Sequence, residues 1–310
     1  MPGSERSSRV RLENRRPRQV GFVDKGMEGA GAREAAPDVP SARKGARMKT
    51  IGNEEMLQVS RELLDAEQKC VPVVALSERY PGLTLEQAYA IHMKTIEARV
   101  HAGARIIGTK VAFTSNAVQQ QFGMGEPAAG MLYDHRVFRE GSPVPFDSLI
   151  QPRMEPEIAC VLGEDLPGPG VTLARAIQAV AGVMPAIEIV DCRCKDWKVS
   201  AADVVADSVG GWGVVLGGKM TPIAGLDLRL VGCVLEKNGV IVSTGAGAAV
   251  LGNPIESLVW AANKLSEFGM VLRKGQVVIT GSLVKPESVA RGDCFTATFD
   301  RIGSVSVLFA

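Results

Sequence analysis

Residues 151–158 read Gln-Pro-Arg-Met-Glu-Pro-Glu-Ile and lead into a strand-like run at 158–162. If Glu155 and Glu157 share a strand, its period of two places both carboxylates on one face. Carboxylates held that way repel each other, and a divalent cation between them relieves the repulsion. Hard oxygen ligands suit Mg²⁺ or Mn²⁺. The spacing alone also fits a solvated strand face, and that alternative stays open at this point.

A third carboxylate, Glu188, stands in the apolar run Pro-Ala-Ile-Glu-Ile-Val-Asp at 185–191. A single acid in such a run is rarely buried without a partner or a metal, which favours a metal site. Asp191 competes for this role, but its position at the end of the run is more typical of a cap or an ion pair.

Lys110 lies among similar apolar neighbours. Because burial disfavours its charge, the pKa of such a lysine can fall far enough for it to act as a general base.

Short β-like runs punctuated by Gly and Pro surround these segments. Strands are predicted at 105–114, 158–162, 186–190, 213–216, 229–237, 240–243, 276–280, 294–299 and 304–309. The Asn-Gly pair at 238–239 predicts a tight hairpin between two of them.

Helical patterns are concentrated near the start of the chain. A first helix is predicted over 53–75, and Thr84 with Gln87 has the spacing of a capping box for a second helix that ends near Gly103. Short helices are predicted at 118–122 and 172–180, and Asn253 caps another that ends before Gly269. Many strands, few helices and no strict βαβ alternation predict an α+β fold around a curled, mixed β-sheet. Residues 48–310 are expected to form one catalytic domain, with a helical part at 48–104 and a β-rich, metal-binding part at 105–310.

The chain has 310 residues and a formal net charge of +1, which argues against a nucleic-acid-binding surface. It contains no 18-residue apolar run, so no membrane span is predicted. Its six cysteines form no CxxC pair and no secretory signal precedes them, so we expect reduced thiols in the cytoplasm.

The charge is unevenly distributed. Residues 1–47 carry 11 basic and 6 acidic side chains, a balance of +5, which leaves −4 for residues 48–310. This first segment is poor in large apolar residues, so it is predicted to be a disordered basic tail. The alternative is a start assigned too far upstream, with Met27 or Met48 as the true first residue.

Several motifs, taken in order, carry a resemblance to a known family. They are Gly-Thr-Lys at 108–110, Phe-Thr-Ser at 113–115, Pro-Arg-Met-Glu-Pro-Glu at 152–157, the run at 185–191, Asp-Trp-Lys at 196–198, Val-Ala-Asp at 205–207, Thr-Gly-Ala-Gly-Ala-Ala-Val-Leu-Gly-Asn-Pro at 244–254, Thr-Gly at 280–281 and Gly-Ser-Val at 303–305. From about residue 83 to 309 the chain resembles the 2-keto-4-pentenoate hydratase / 4-oxalocrotonate decarboxylase group of the fumarylacetoacetate hydrolase superfamily.

The resemblance implies rolled β-sheets with flanking helices and a homo-oligomer. It implies that Glu155, Glu157 and Glu188 hold one Mg²⁺ or Mn²⁺. It further implies that Lys110 is the acid/base residue and that Thr280 helps to bind the substrate carboxylate.

The family acts on small 2-oxo or 2-hydroxy-dienoic acids from the meta-cleavage of aromatic compounds. A hydratase would add water at C4 of 2-hydroxypenta-2,4-dienoate or a related acid to give a 4-hydroxy-2-oxo acid. A decarboxylase would remove the distal carboxylate of 2-oxohex-3-enedioate through the same electron sink. A complex with a neighbouring pathway enzyme is also expected of such a family. The third alternative is a binding-only relative without turnover.

Two segments of this chain differ from the usual family sequence, and they bear on the choice between hydratase and decarboxylase. Hydratases of the group usually carry an acid in a Pro-Asp-Phe-Gly-like segment, whereas this chain has Pro-Ala-Ala-Gly at 127–130. The run at 205–210 ends in Ser-Val-Gly where the family usually has Asn-Ala-Ser. Residues 236–239 and 280–283 nevertheless look more like those of a hydratase, and hydration is favoured over decarboxylation.

Three further residues are candidates for the pocket. His135 could replace an acidic family residue at the pocket mouth, or it could be an ordinary surface histidine. Ser115 and Asp207 belong to motifs that carry the resemblance. Trp197 and Trp212 are expected to be core aromatics.

Overall fold

The structure is a computed structural model, and it describes residues 51–310. The predicted tail at 1–47 lies outside this range. Within it, the chain forms seven α-helices and twelve β-strands. The helices are α1 (Asn53–Lys69), α2 (Leu76–Arg79), α3 (Leu85–His101), α4 (Asn116–Phe122), α5 (Leu173–Ala179), α6 (Ala201–Ala206) and α7 (Pro254–Ser266). The strands are β1 (Ile106–Ala112), β2 (Ala128–Tyr133), β3 (Val137–Arg139), β4 (Arg153–Leu162), β5 (Val180–Val190), β6 (Gly211–Leu216), β7 (Gly232–Lys237), β8 (Val240–Ala246), β9 (Val277–Ser282), β10 (Glu287–Ser288), β11 (Cys294–Phe299) and β12 (Gly303–Leu308).

The N-terminal helices form a layer of their own. α3 begins as predicted, because the Thr84 hydroxyl accepts the Gln87 N–H while the Gln87 side chain accepts the Thr84 N–H. The first helix is shorter than predicted, since Cys70 adopts a left-handed conformation that ends it. α1 and α3 pack together and α3 packs on α6, around a buried cluster that includes Leu63 and Ile91.

Two sheets make up the rest of the fold. The large sheet has the strand order β2-β1-β9-β4-β5-β6-β3, with β10 paired to β4, and the small one has the order β12-β11-β7-β8. β2 also contacts β6, which shows that the large sheet curls round on itself. The main apolar core extends from β4 and β5 to α7 and the small sheet. These features confirm the predicted α+β fold with a rolled, mixed sheet and flanking helices.

The pairing around β4 positions the residues singled out in the sequence. β4 and β5 are antiparallel, and Glu155 lies directly opposite Glu188. On its other side β4 pairs with β9, and the register slips by one residue between Glu157 and Ala159. β1 runs parallel to β9 and places Lys110 beside Ile279.

Strand β2 was not predicted. Its sequence, Ala-Ala-Gly-Met-Leu-Tyr, begins with residues of low β propensity, yet all six residues are buried. Burial against β1 outweighs local propensity here.

The predicted hairpin at 238–239 is confirmed, since Asn238 and Gly239 connect the antiparallel pair β7 and β8. No helix of residues 51–310 is long and apolar enough to cross a bilayer.

The β1–β9 pair needs a glycine at position 108. A Cβ at Gly108 would lie 1.9 Å from the Val277 carbonyl oxygen. We expect Gly108→Ala to lower the free energy of unfolding by roughly 3 kcal/mol, because the strands must separate to admit the methyl group. Gly232→Ala is the control, since a Cβ there meets nothing within 4 Å. Urea denaturation followed by circular dichroism measures both. Equal effects of the two substitutions would contradict this account of the pair.

Candidate metal centre

Three glutamate side chains converge inside the rolled sheet. Glu155 and Glu157 are two residues apart on β4, so their side chains share a face, and Glu188 faces Glu155 across the β4–β5 pair. Ligand oxygens of the three carboxylates all lie within 4.8 Å of one another. Glu157 and Glu188 are buried and Glu155 is half-buried. The structure therefore brings together the three acids that the sequence singled out.

The carboxylate oxygens are not all satisfied by the protein. Glu157 Oε2 accepts the Gly281 N–H at 2.6 Å. Among residues 51–310, Glu157 Oε1 and Glu188 Oε2 have no hydrogen-bond partner although both are buried. Buried and unpaired carboxylate oxygens are costly, whereas a divalent cation would satisfy them and offset their mutual repulsion. The donor set, oxygen atoms from three acids, fits a hard cation such as Mg²⁺ or Mn²⁺.

A bulge in β9 supplies the Gly281 N–H. The one-residue slip between β4 and β9 falls at Thr280 and Gly281, and such irregularities re-aim backbone groups beside functional sites. Gly281 has a φ of 113°, and a Cβ there would lie 2.1 Å from the Thr114 hydroxyl. Only glycine fits this position, so glycine at 281 is what keeps the N–H directed at Glu157.

Lys110 reaches the carboxylates from β1. Its Nζ lies 2.7 Å from Glu188 Oε1 and donates to the Val209 carbonyl at 2.9 Å. The aliphatic stem passes between two glycines, because a Cβ at Gly130 would lie 3.0 Å from Lys110 Cγ and one at Gly211 would lie 3.1 Å from Lys110 Cδ. The ammonium is thus held at a defined place beside the cluster.

The carbonyl that receives Lys110 belongs to a left-handed turn. Ser208, Val209 and Gly210 have successive φ values of 53°, 56° and 68°. Left-handed backbone is unfavourable for a β-branched residue such as valine. The turn directs the Val209 carbonyl at the ammonium. No side-chain pattern in the sequence signals this contact, and the sequence analysis missed it.

The charges perturb one another strongly. Burial and the nearby Glu188 carboxylate raise the pKa of Glu155 to about 7. Burial, Glu188 and Glu155 raise the pKa of Glu157 well above its usual value. Burial alone would lower the pKa of Lys110, but the carboxylates of Glu188, Glu155 and Glu157 outweigh it and raise that pKa. The expectation of a lysine with a lowered pKa is corrected accordingly, because the ammonium is paired with acid.

A cavity of about 160 Å³ opens beside this cluster. Lys110 and Glu155 line it, and its remaining wall is largely apolar. That wall includes Ala112, Phe113, Val118, Phe122, Val190, Val199, Val204, Val209 and Pro286. Gly210, Arg153 and Trp197 complete the lining, with the guanidinium carbon of Arg153 4.2 Å from the centroid of the Trp197 ring. Trp197 is half-buried and faces the cavity, which corrects its assignment as a core aromatic, whereas Trp212 is buried in the core as expected.

Thr280 and Ser115 are both engaged with backbone. The Thr280 hydroxyl donates to the Ile158 carbonyl at 3.0 Å, and the Thr280 carbonyl accepts the Ser257 hydroxyl. Thr280 precedes Gly281 and so lies next to the glutamate cluster. The Ser115 hydroxyl caps α4 by accepting the Val118 N–H. Neither side chain is among those that line the cavity.

Asp207 belongs to a different polar cluster. Its carboxylate accepts the Arg193 Nε–H at 2.5 Å and the Arg193 backbone N–H at 2.9 Å. Arg193 is fully buried and also lies 3.9 Å from Glu67. Asp207 is therefore placed as the partner of a buried arginine and not as a cavity residue. Asp191 accepts two backbone N–H groups, from Ile150 and Gln151, which belong to no helix, so it does not act as the helix cap that its position suggested.

His135 does not line the cavity beside Glu155, Glu157 and Glu188. It lines a separate cavity of about 520 Å³ together with Glu67, Arg99 and Arg136. Its side chain is exposed, so the alternative of an ordinary surface histidine holds, and His135 does not stand at the mouth of the cavity beside Glu155. Ala128 is fully buried, and Glu155 is the one acid lining the smaller cavity among the described residues.

Comparisons with known proteins show the family to which the chain belongs. The family model described as fumarylacetoacetate (FAA) hydrolase C-terminal matches residues 87–308. A 2-keto-4-pentenoate hydratase of Paraburkholderia xenovorans is 40% identical over 252 residues, which cover 81% of this chain and 94% of that protein. A 2-hydroxypent-2,4-dienoate hydratase of Pseudomonas putida is 42% identical over 223 residues, covering 72% and 99% of the two chains.

A solved structure extends the comparison. The 4-oxalocrotonate decarboxylase of Pseudomonas putida G7, complexed with magnesium and adipate, superimposes with a TM-score of 0.82 at 34% identity and covers 84% of this chain and 99% of that one. The chain belongs to the fumarylacetoacetate hydrolase family, and its similar relatives are named both as hydratases and as a decarboxylase.

The raised carboxyl pKa values predict how metal and pH act together. Burial favours the neutral form of Glu155 in the folded, metal-free protein, so the stability that this carboxyl contributes is fully present below about pH 4.5 and is lost as the pH rises through about 7. The raised pKa of Glu157 acts in the same direction. A divalent ion restores this stability by binding the charged carboxylates. We therefore expect the increase in Tm from Mg²⁺, relative to chelator, to grow between about pH 5 and pH 8. Differential scanning fluorimetry measures it. An increase that does not change with pH would argue against a buried carboxylate site.

Proposed function

We propose that this chain is a metal-dependent lyase that adds water to 2-hydroxypenta-2,4-dienoate or a related 2-oxo-enoate, giving a 4-hydroxy-2-oxo acid. The observation that carries this proposal is the cluster of Glu155, Glu157 and Glu188 with Lys110 paired to it, at the edge of a small apolar cavity. The hydratase names of the 40% and 42% identical relatives support the reaction class. Mg²⁺ or Mn²⁺ is the proposed metal, and magnesium in the decarboxylase structure supports a divalent ion.

Each group has a part in such a reaction. When bound, the metal would act as a Lewis acid on the 2-oxo group of the substrate. Glu157, fixed by the Gly281 N–H, and Glu188, fixed by Lys110, hold their carboxylates in place for it. The Lys110 ammonium would donate a proton or a hydrogen bond where negative charge develops on the substrate. The apolar wall lowers the local dielectric and strengthens both interactions.

Decarboxylation of 2-oxohex-3-enedioate is the second candidate. It is favoured by the alanines at 128 and 129, since Ala128 is buried and supplies no acid to activate water. Loss of CO₂ needs no such acid. The relative of known structure that carries the decarboxylase name supports this alternative.

We also propose a cellular compartment and protein partners. The cysteines of the described residues are all free thiols, which supports a reducing compartment such as the cytoplasm. Association of identical chains, and of this chain with a neighbouring enzyme of aromatic degradation, rests on the family resemblance.

The two reactions separate in one assay. With Mg²⁺, loss of diene absorbance from 2-hydroxypenta-2,4-dienoate without CO₂ supports the hydratase. CO₂ release from 2-oxohex-3-enedioate supports the decarboxylase, and inactivity on both supports a binding-only relative.

Glu157→Gln tests the metal site within the same assay. It keeps the shape of the side chain but removes one charge from the cluster, so we expect kcat/KM to fall by at least about 100-fold. Glu86→Gln is the control, because Glu86 is exposed on α3. Metal-dependent turnover that survives Glu157→Gln would show that the site is placed wrongly.

A further inference from the structure

Arg193 is a fully buried arginine that is bound to both ends of one turn. The turn is the left-handed segment 208–210, whose middle carbonyl accepts a hydrogen bond from Lys110. Arg193 Nη2 donates to the carbonyl of Asp207, just before the turn, at 2.5 Å. Its Nη1 donates to the carbonyl of Gly211, just after the turn, at 3.3 Å. One guanidinium therefore spans the segment that contacts Lys110.

The guanidinium is itself held in one orientation. The Asp207 carboxylate accepts the Arg193 Nε–H at 2.5 Å and the Arg193 backbone N–H at 2.9 Å. Nη1 also donates to the Asp191 carbonyl at 2.6 Å, and the Asp191 N–H donates to the Gly210 carbonyl at 2.9 Å. Asp191 directly follows β5, the strand that carries Glu188. Because a guanidinium is planar and stays charged, these bonds fix the turn against the end of β5.

The turn depends on such support. Ser208 and Val209 have φ values of 53° and 56°, and left-handed backbone is unfavourable for residues that carry a Cβ. Residues in this conformation persist where the surrounding structure holds them there. Without the bonds from Arg193, we expect the turn to relax and the Val209 carbonyl to turn away from Lys110.

The Val209 carbonyl helps to set the direction of the Lys110 ammonium. Lys110 Nζ donates to this carbonyl at 2.9 Å and lies 2.7 Å from Glu188 Oε1 in an ion pair. An ammonium has three N–H donors, so it keeps at least one for a ligand in the cavity that Lys110 lines. The two contacts together determine where that donor points, whereas the ion pair alone would leave the ammonium free to reorient.

We propose that Arg193 is a positioning residue for the reaction, because it holds the turn 208–210 and thereby directs the Lys110 ammonium at the substrate. The proposal rests on the proposed function, which has Lys110 donate where negative charge develops. That interaction strengthens in the transition state, so a misdirected ammonium lowers kcat and leaves KM largely unchanged. An arginine with a purely structural role would affect stability and leave the kinetic constants of the folded enzyme unchanged.

Arg193→Lys tests this role. Lysine keeps a positive charge beside Asp207, but a single ammonium on a flexible chain does not bind both ends of the turn as the planar guanidinium does. We expect steady-state kinetics with Mg²⁺, on 2-hydroxypenta-2,4-dienoate and 2-oxohex-3-enedioate, to show kcat lowered at least about tenfold and KM changed by less than about twofold.

Metal affinity provides the readout that does not depend on turnover. The hydrogen bonds of the Arg193 side chain go to Asp191, Asp207 and Gly211, so Arg193→Lys should leave Mn²⁺ binding, measured by electron paramagnetic resonance, unchanged. A loss of Mn²⁺ affinity that accounts for the lost turnover would overturn the proposal, because the arginine would then act on the glutamates.

Asp207→Asn is the second variant, which keeps the test open if Arg193→Lys does not fold. It preserves the shape of the side chain and one acceptor but removes the charge that orients the guanidinium, so we expect kcat to fall several-fold with KM unchanged. A folded Asp207→Asn protein with the kcat of the wild type would contradict the proposal.

Arg99→Lys is the matched control. Arg99 donates to Glu67 at 2.5 Å in a half-buried ion pair, and that bond does not involve the turn 208–210. This substitution should lower Tm without changing kcat. If it lowers kcat as much as Arg193→Lys does, general destabilisation explains both results and the proposal is wrong.

The same kinetics separate this proposal from the one on which it rests. Turnover of either substrate by the wild-type protein, with an unaltered kcat in folded Arg193→Lys, leaves the proposed function standing and overturns only the role of Arg193. Absence of turnover of both substrates by the wild-type protein overturns the proposed function and this proposal together.

Discussion

The pairing of β4 with β5 places Glu155 directly opposite Glu188, with Glu157 on the same face two residues along. Like charges directly opposite each other destabilise a sheet, and these are also removed from water. Such an arrangement is sustained by cations, and the structure supplies one in Lys110 and leaves carboxylate oxygens without protein partners. The surrounding strands and turns hold these buried carboxylates in one geometry, although bringing them together is unfavourable.

Curling of the large sheet is what allows Lys110 to take part. β1 and β5 are separated by β9 and β4 in the sheet order, yet Lys110 Nζ reaches Glu188 because the sheet rolls and its stem passes between Gly130 and Gly211. The left-handed residues 208–210 and the β9 bulge at Gly281 then direct one carbonyl and one N–H into the site. One strained turn and one glycine bulge thus present backbone groups to the charged cluster.

Parts of this arrangement can be predicted from the sequence and others cannot. Strand alternation predicts that Glu155 and Glu157 share a face, and capping residues predict where α3 begins. The register that sets Glu155 opposite Glu188 depends on the whole sheet. The contact from the Val209 carbonyl depends on backbone angles. Asp207 is paired with the buried Arg193, and His135 lines a second cavity. Neither kind of contact can be predicted from the local sequence.

Direct observation of the metal tests the central claim, that strand register builds one divalent-cation site from three glutamates. Crystals of the protein grown with Mn²⁺ can be measured for anomalous scattering near the manganese edge. The account predicts one strong peak in contact with carboxylate oxygens of Glu155, Glu157 and Glu188, lost in Glu157→Gln. No peak at the cluster, or a peak held by other residues such as Cys192, Cys194 and Asp207, would contradict it.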